Sequence, residues 1–295
     1  MYLKELEYMV KLAEEKNLTR AAEKLFITPS ALTQQLMKLE EDVGTPLFLR
    51  SRSGWSLTEA GEVYLAAARE ILRLKHETYK KLQDIAETKK GTLTVGFPPE
   101  RGARMFAGIY PAFHAQYPDI TIQIKELSVR QQQTMIADGR LDIGFMTLTD
   151  NQKTEDIYMN LRSEEILLAV PSDHPACKQL SISEHADLSL LKDMPFATIY
   201  KESTARRLMD DIFRQSNFTP EIIFESARFQ TILDIVNQGL CCGLVSSYYT
   251  GLSYPDVAYF HLAGEPQWQL CASYKRGAYL SEAARYMIRL ITELY

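Results

Sequence analysis

Between residues 28 and 52 lie the side chains best suited to acting on another molecule: Thr28, Pro29, Ser30, Thr33, Gln34, Lys38, Arg50 and Arg52. Gln can bond adenine through two hydrogen bonds, Ser and Thr can serve several base edges, and Lys and Arg hold phosphates. Burying Leu32, Leu36 and Leu39 on one side of a helix leaves Ser30, Ala31, Thr33, Gln34, Gln35 and Lys38 on the others. Thr28 suits the N-cap, and Pro29 the first helical position, where its missing N–H costs nothing. Residues 47–57 (LFLRSRSGWSL) read as a short hairpin wing carrying Arg50 and Arg52. One such helix alone reads as a core element with a solvated face. The polar set, the short helices and the basic wing together point to a helix that enters the DNA major groove.

Other elements must position that helix. Leu3, Leu6, Met9, Val10 and Ala13 recur at helical spacing and predict a first helix that Asn17 stops. Thr19 is expected to cap a second helix through about Leu25, with Ala21, Ala22 and Leu25 inward. Thr58 is expected to cap a long helix to about Glu87, free of Pro and with Gly61 near its start. Tyr64, Ala67, Ile71, Leu74, Thr78 and Ile85 lie near heptad spacing, as do Leu65, Ala68, Leu72, Tyr79 and Leu82. Such a stripe fits packing on a partner's helix or on the chain's own domain. Lys89-Lys90-Gly91 then ends the helix as a hinge.

Past Gly91 the pattern changes. Strands are expected at 92–97, 120–125, 141–146, 166–170, 196–199, 222–224, 243–245 and 268–274. Helices are expected at about 104–117, 129–137, 204–215, 229–237 and 281–293. This alternation implies a mainly parallel sheet covered on both faces. About 200 residues suits two smaller sheets better than one, with a crossing near 166–175 and a return near 263–268.

The run Ala21-Ala22, Leu25, Thr28 to Thr33, Leu39-Glu40, Gly44, Pro46-Leu47-Phe48, Arg50 and Leu57 to Gly61 resembles the N-terminal signature of the LysR-type transcriptional regulators. One position departs: the family often carries Arg where this chain has Gln34. Looser matches at 91–96, 139–144 and 239–245 resemble the family's periplasmic-binding-protein-like effector domain. The resemblance implies an all-α winged helix-turn-helix at 1–58, a linker and dimerisation helix with its hinge at 59–90, and an α/β two-lobe effector domain at 91–295. Lobe I would hold 91–161 and 268–295, and lobe II 162–267. It further implies promoter DNA, a small-molecule effector, a homodimer or homotetramer, and RNA polymerase as partners. Enzymatic activity and a cofactor are not expected.

Open α/β sheets bind ligands at the carboxyl ends of their strands, where helix N-termini attract anions. In lobe I those ends offer Pro98, Pro99, Glu100 and Arg101, then Ser128, Val129 and Arg130, then Met146 and Thr147. In lobe II they offer Tyr200, Lys201, Ser203 and Thr204, then Ser226, Arg228 and Phe229, then Ser246 and Ser247. Each serine or threonine could equally be only a helix cap, and each arginine or lysine only solvated. Their convergence favours an anionic effector such as a carboxylate or phosphate, although Glu100 would repel an anion or hold an amine.

Four cysteines and five histidines show no metal-ligand spacing, and the adjacent Cys241-Cys242 beside a buried strand reads as core packing. No P-loop, GxSxG or GxGxxG occurs. The charged start lacks the pattern of a signal peptide, and no apolar run is long enough to span a membrane, so a cytoplasmic protein is expected. Net charge is −5, and acids are about as frequent as bases in the first 60 residues. Non-specific DNA affinity should be modest, with specific binding leaning on a dimer. Two competing readings remain: a small-molecule-binding protein of the same two-lobe fold without specific DNA binding, and an enzyme. The first lacks an explanation for residues 18–58, and the second a convergent acid, base or nucleophile set.

Overall fold

A computed structural model describes residues 2–51, 54–87 and 89–294. The chain divides into two compact units. One comprises Met1–Thr88 with Ala137–Arg140, and the other Lys89–Ile136 with Leu141–Tyr295.

The first unit contains α1 (Leu3–Glu15), α2 (Leu18–Lys24), α3 (Pro29–Val43), β1 (Phe48–Ser51), β2 (Gly54–Leu57) and α4 (Glu59–Ile85). Its core gathers Leu6, Met9 and Leu12 of α1, Ala21 and Ala22 of α2, and Leu32, Leu36 and Leu39 of α3, closed by Leu47, Phe48, Tyr64 and Ala68. Thr28 caps α3 by accepting from the Ala31 N–H at 3.2 Å. Thr58 caps α4 by accepting from the Gly61 N–H at 2.9 Å. The cap of α2 is Asn17, not Thr19: its Oδ1 accepts from the Arg20 N–H at 3.1 Å, and Thr19 lies already within the first turn. Gly61 meets a close approach, since a Cβ there would fall 2.0 Å from the Leu47 carbonyl oxygen.

The second unit runs β3 (Lys90–Phe97), α5 (Arg101–Gln116), β4 (Asp119–Glu126), α6 (Val129–Ala137), β5 (Ile143–Leu148) and β6 (Ile157–Pro171). It continues with α7 (Cys177–Leu180), β7 (Phe196–Ile199), α8 (Thr204–Gln215), β8 (Ile222–Ser226), α9 (Phe229–Val236), β9 (Cys242–Ser246), β10 (Val257–Phe260), β11 (Gln267–Tyr274) and α10 (Glu282–Leu294). Strand order is β4-β3-β5-β11-β6-β9-β7-β8, with β10 also on β6. The sheet is mixed rather than mainly parallel. β3 pairs parallel with β4 and β5, and β7 with β8 and β9, while every pairing of β6 and β11 is antiparallel. The strands that carry the chain between the halves run against their neighbours, and such pairings need no crossover helix.

Two separate cores mark two lobes. Lobe I packs Leu93, Val95, Phe97, Ile109, Phe113, Phe145 and Ile288. Lobe II packs Leu168, Phe196, Met209, Phe213, Ile232, Leu233 and Leu244. β6 serves both: its first part pairs with β11 and its last with β9 and β10. Glu164 on β6 stands opposite Trp268 on β11 where the chain passes between lobes.

Candidate functional site

Ser30, Gln34 and Lys38 follow one another at four-residue intervals on α3 and are exposed, as are Thr28 and Pro29. Thr33 is half-buried, and its hydroxyl donates to the Pro29 carbonyl at 3.0 Å. The Oγ1 of Thr28 also lies 3.0 Å from the Ser30 Oγ. Arg50 is exposed on β1, and Arg52 falls outside the described residues. The sequence reading places Glu40 in the family signature but gives it no role. Its Oε1 accepts from the Leu47 N–H at 2.7 Å and the Phe48 N–H at 3.1 Å, which ties the base of the hairpin to the last turns of α3. The same reading passed over Phe26 and Met37, which are exposed in the turn before α3 and on α3.

In the second unit, one cavity of about 90 Å³ lies between the lobes. Lobe I lines it with Pro98, Pro99, Glu100, Arg101, Ser128, Arg130 and Thr147, and lobe II with Tyr200, Ser203, Thr204 and Phe229. Six candidates lie elsewhere, among them Ser247, whose hydroxyl accepts from the Glu165 N–H at 3.2 Å. Met146 is fully buried beneath α6 with Val129, Ile136, Leu141 and Leu148. Side chains alternate along a strand, so Met146 turns inward where Thr147 turns to the cavity. Ser246 is buried, its hydroxyl donating to Glu164 Oε2 at 2.8 Å. The Ser226 hydroxyl accepts from the Arg228 N–H at 3.0 Å and serves its own turn. Lys201 and Arg228 are exposed outside the cavity.

Val129, another residue expected at the strand ends, lines the cavity too, and sequence reasoning missed Leu127, Ile199, Glu202, Ala205, Ala227, Tyr249 and Trp268, which also line it. Most are immediate neighbours of residues it chose. Trp268 lies on a crossing strand and Tyr249 in the turn after β9, so reading strand ends alone could not single them out.

Four helices begin at the cavity, α9 at Phe229 and three others. At α6, the Ser128 hydroxyl donates to Gln131 Oε1 at 2.9 Å. At α8, Ser203 accepts from the Ala205 N–H at 3.2 Å. At α5, Arg101 turns inward to Glu164, with Nη1 donating to Oε2 at 3.0 Å and Nη2 to Oε1 at 2.8 Å. Trp268 Nε1 adds a bond to Glu164 Oε2 at 3.0 Å, and the guanidinium covers the Tyr248 ring at 4.0 Å. Burial opposes the charged form of Glu164, but Arg101, Ser246 and Trp268 outweigh it and hold the carboxyl below its usual range. Arg101 is thus a fixed strut between lobes rather than a free anion ligand. Across the cavity, Gln152 Nε2 donates to the Thr204 carbonyl at 3.0 Å, joining the lobes a second time.

Cys241, Cys242 and Cys271 are fully buried and Cys177 is partly buried. Desolvation pushes the first three thiols up to about 11, 12 and 11. Among the described residues, no group of three or more His, Cys, Asp or Glu could hold a metal ion, and no helix is long and apolar enough to cross a membrane.

Known proteins match both units. Residues 3–62 match the family model "Bacterial regulatory helix-turn-helix protein, lysR family", and residues 86–295 match "LysR substrate binding domain". The Hca operon transcriptional activator HcaR of Escherichia coli (strain K12) is 30% identical over 294 residues, covering 99% of this chain and 98% of that protein. The regulator AlsR of Bacillus subtilis (strain 168) is 30% identical over 261 residues, covering 88% and 85%. Full-length OxyR of Pseudomonas aeruginosa, solved as a cysteine-to-aspartate variant, shares the fold with a TM-score of 0.70 at 23% identity, covering 99% of this chain and 97% of that one. CbnR solved with its target DNA shares it with a TM-score of 0.60 at 20% identity, covering 100% and 99%. With its helix-turn-helix, its two-lobe α/β domain and these matches, the chain belongs to the LysR family and is a DNA-binding transcriptional regulator with an effector-binding domain.

Proposed function

We propose that this regulator converts the presence of a small anionic metabolite into a change in how it holds promoter DNA. One observation carries the effector class. The first residues of α6 and α8, Val129 with Arg130 and Thr204 with Ala205, line the same cavity. Helix starts present N–H groups without intrahelical acceptors and favour negative charge, and Arg130 adds an exposed cation. A carboxylate or phosphate is held there, contacting Ser128, Arg130, Ser203 and Thr204. Thr147, Tyr200 and Phe229 shape the rest of the cavity, together with Pro98 and Pro99.

On the DNA side, Ser30, Thr33, Gln34 and Lys38 face the major groove, while Thr28, Pro29, Arg50 and Arg52 hold the flanking backbone. α4 brings two copies together. Its Tyr64, Leu65 and Ala68 are used by its own domain, but Leu74, Tyr79, Leu82 and Ile85 are 56–79% exposed and give a partner helix an apolar stripe. The assembly is a homodimer or a homotetramer, works in the cytoplasm and engages RNA polymerase. The cavity binds and does not catalyse, without a cofactor: Arg101 is committed to Glu164, and Glu100 to α9. Steady conversion of any ligand by the purified protein would overturn that.

The test is selection of sheared DNA from the source genome by the full-length protein, with and without a small-molecule extract of the same cells. The expected result is enrichment of a few upstream regions, altered by the extract. Retention without sequence preference would overturn the reading.

A further inference from the structure

Glu100 lies between β3 and α5 with φ 73° and ψ −73°. The Arg101 N–H donates back to the Pro99 carbonyl at 3.0 Å, closing a γ-turn of the rare, strained hand. A residue with a Cβ resists this conformation, so the surroundings must impose it. The carboxylate shows how. Oε1 accepts from the Gln230 N–H at 2.8 Å, and Oε2 accepts from the Phe229 N–H at 3.1 Å and from the Tyr249 hydroxyl at 2.9 Å. Phe229 and Gln230 open α9, where the helix itself supplies no acceptor. A carboxylate carried by lobe I therefore completes the start of a lobe II helix. The next residue, Arg101, is fixed to Glu164 and keeps the turn within reach.

We propose that Glu100 is an intramolecular latch of the cavity: its carboxylate fastens lobe I to the start of α9, and effector entry requires it to let go. The proposal rests on reading the cavity as the effector site. Glu100, Phe229 and Tyr249 all line that cavity, so the latch is part of its wall. The free volume of about 90 Å³ is far below the roughly 300–1,000 Å³ of a typical small-molecule pocket, so the lobes must part before a metabolite fits. The strained turn offsets part of the cost of release, because the backbone relaxes as the carboxylate leaves.

The test compares wild type with Glu100→Ala and Glu100→Gln in the full-length protein by two readouts. First, amide hydrogen exchange at Phe229 and Gln230 should be about tenfold or more faster in Glu100→Ala, the loss expected for hydrogen bonds to a charged acceptor, while Val245 in the lobe II core stays protected. Glu100→Gln, which retains one acceptor oxygen, should fall between. Second, spin labels at Lys125→Cys in lobe I and Glu221→Cys in lobe II, in a Cys177→Ser background and on chains diluted into unlabelled protein, report the spacing of the lobes. The distance distribution should lengthen or broaden in Glu100→Ala. Sodium acetate should restore both readouts in Glu100→Ala and change neither in wild type, relative to sodium chloride at equal ionic strength. Unchanged exchange, or faster exchange at an unchanged lobe spacing, would overturn the latch; the latter would leave Glu100 as a helix cap only. Failure of acetate to restore either would overturn the carboxylate as the fastening group. None of these readouts uses DNA, so failure of the regulator reading would show in the fragment selection and failure of the latch here.

Discussion

Arg101 and Glu164 form a two-pronged ion pair at 3.0 and 2.8 Å, and their side chains are 3% and 1% exposed. Arg101 opens α5 in lobe I, Glu164 sits on the crossing strand, and Ser246 at the end of β9 in lobe II completes the carboxylate's bonds. The pair therefore joins both lobes to the strand between them. Breaking such a pair leaves one uncompensated buried charge, which costs about 3–5 kcal/mol, whereas replacing both partners by apolar groups is often nearly neutral.

Glu164→Gln should therefore destabilise the effector domain by about 3 kcal/mol or more, and Arg101→Leu with Glu164→Leu by clearly less. Urea unfolding followed by Trp268 fluorescence in a Trp55→Phe background measures this directly. Equal losses in the single and double variants would show that the charges are not the reason.

The same pair sets a pH dependence. Burial pushes the Glu164 carboxyl up, its bonds to Arg101, Ser246 and Trp268 pull it further down, and the net result lies below the unfolded value of 4.5. A depressed carboxyl stabilises the fold fully above the unfolded value and loses that contribution as pH falls through the folded one. The stability gap between wild type and Glu164→Gln should be constant from pH 7 to 5 and shrink below about pH 4.5. Urea midpoints at four pH values decide it; a gap that widens in acid would reverse the sign.

Cysteine chemistry should be silent. Thiols pushed up to about 11 and 12 carry almost no thiolate at neutral pH, and those of Cys241, Cys242 and Cys271 are sealed from solvent. A disulfide reagent should label these three slowly in native protein and all four cysteines at once in denaturant. Hydrogen peroxide should leave DNA affinity unchanged. Rapid native labelling of the buried three would contradict this.

Gly61→Ala should loosen the hairpin, because the new Cβ would meet the Leu47 carbonyl at 2.0 Å. Such overpacking costs about 1–3 kcal/mol, and here it acts on the segment that carries Arg50. Thermal unfolding and DNA affinity of Gly61→Ala should both fall; unchanged affinity would separate the hairpin from DNA binding.

Short-range rules were legible in the chain, and rules of assembly were not. Thr28-Pro29 and Thr58 announce α3 and α4 because a cap needs only a hydroxyl and the N–H three residues on. Asn17 and Thr19 compete for one cap, and sequence alone misassigns it. β6 is legible only in its apolar half: the stretch opening IYMNLRSEE looks polar because it is a crossing strand exposed along much of its length. The loops at the strand ends were legible around the cavity. That Arg101 would turn to a carboxylate 63 residues away, or Glu100 to a helix 129 residues on, depends on how two lobes meet, which no local pattern encodes.

The central claim is tested most directly by measuring affinity for an enriched genomic fragment against salt concentration, for wild type, Arg50→Ala and Gln34→Ala. Arg50→Ala should weaken binding to all sequences and lower the slope of log affinity against log salt by about 1. Gln34→Ala should leave that slope unchanged and alter base preference within each half-site. Wild-type affinity no better for the enriched fragment than for scrambled DNA, or both variants binding as wild type does, would contradict the account.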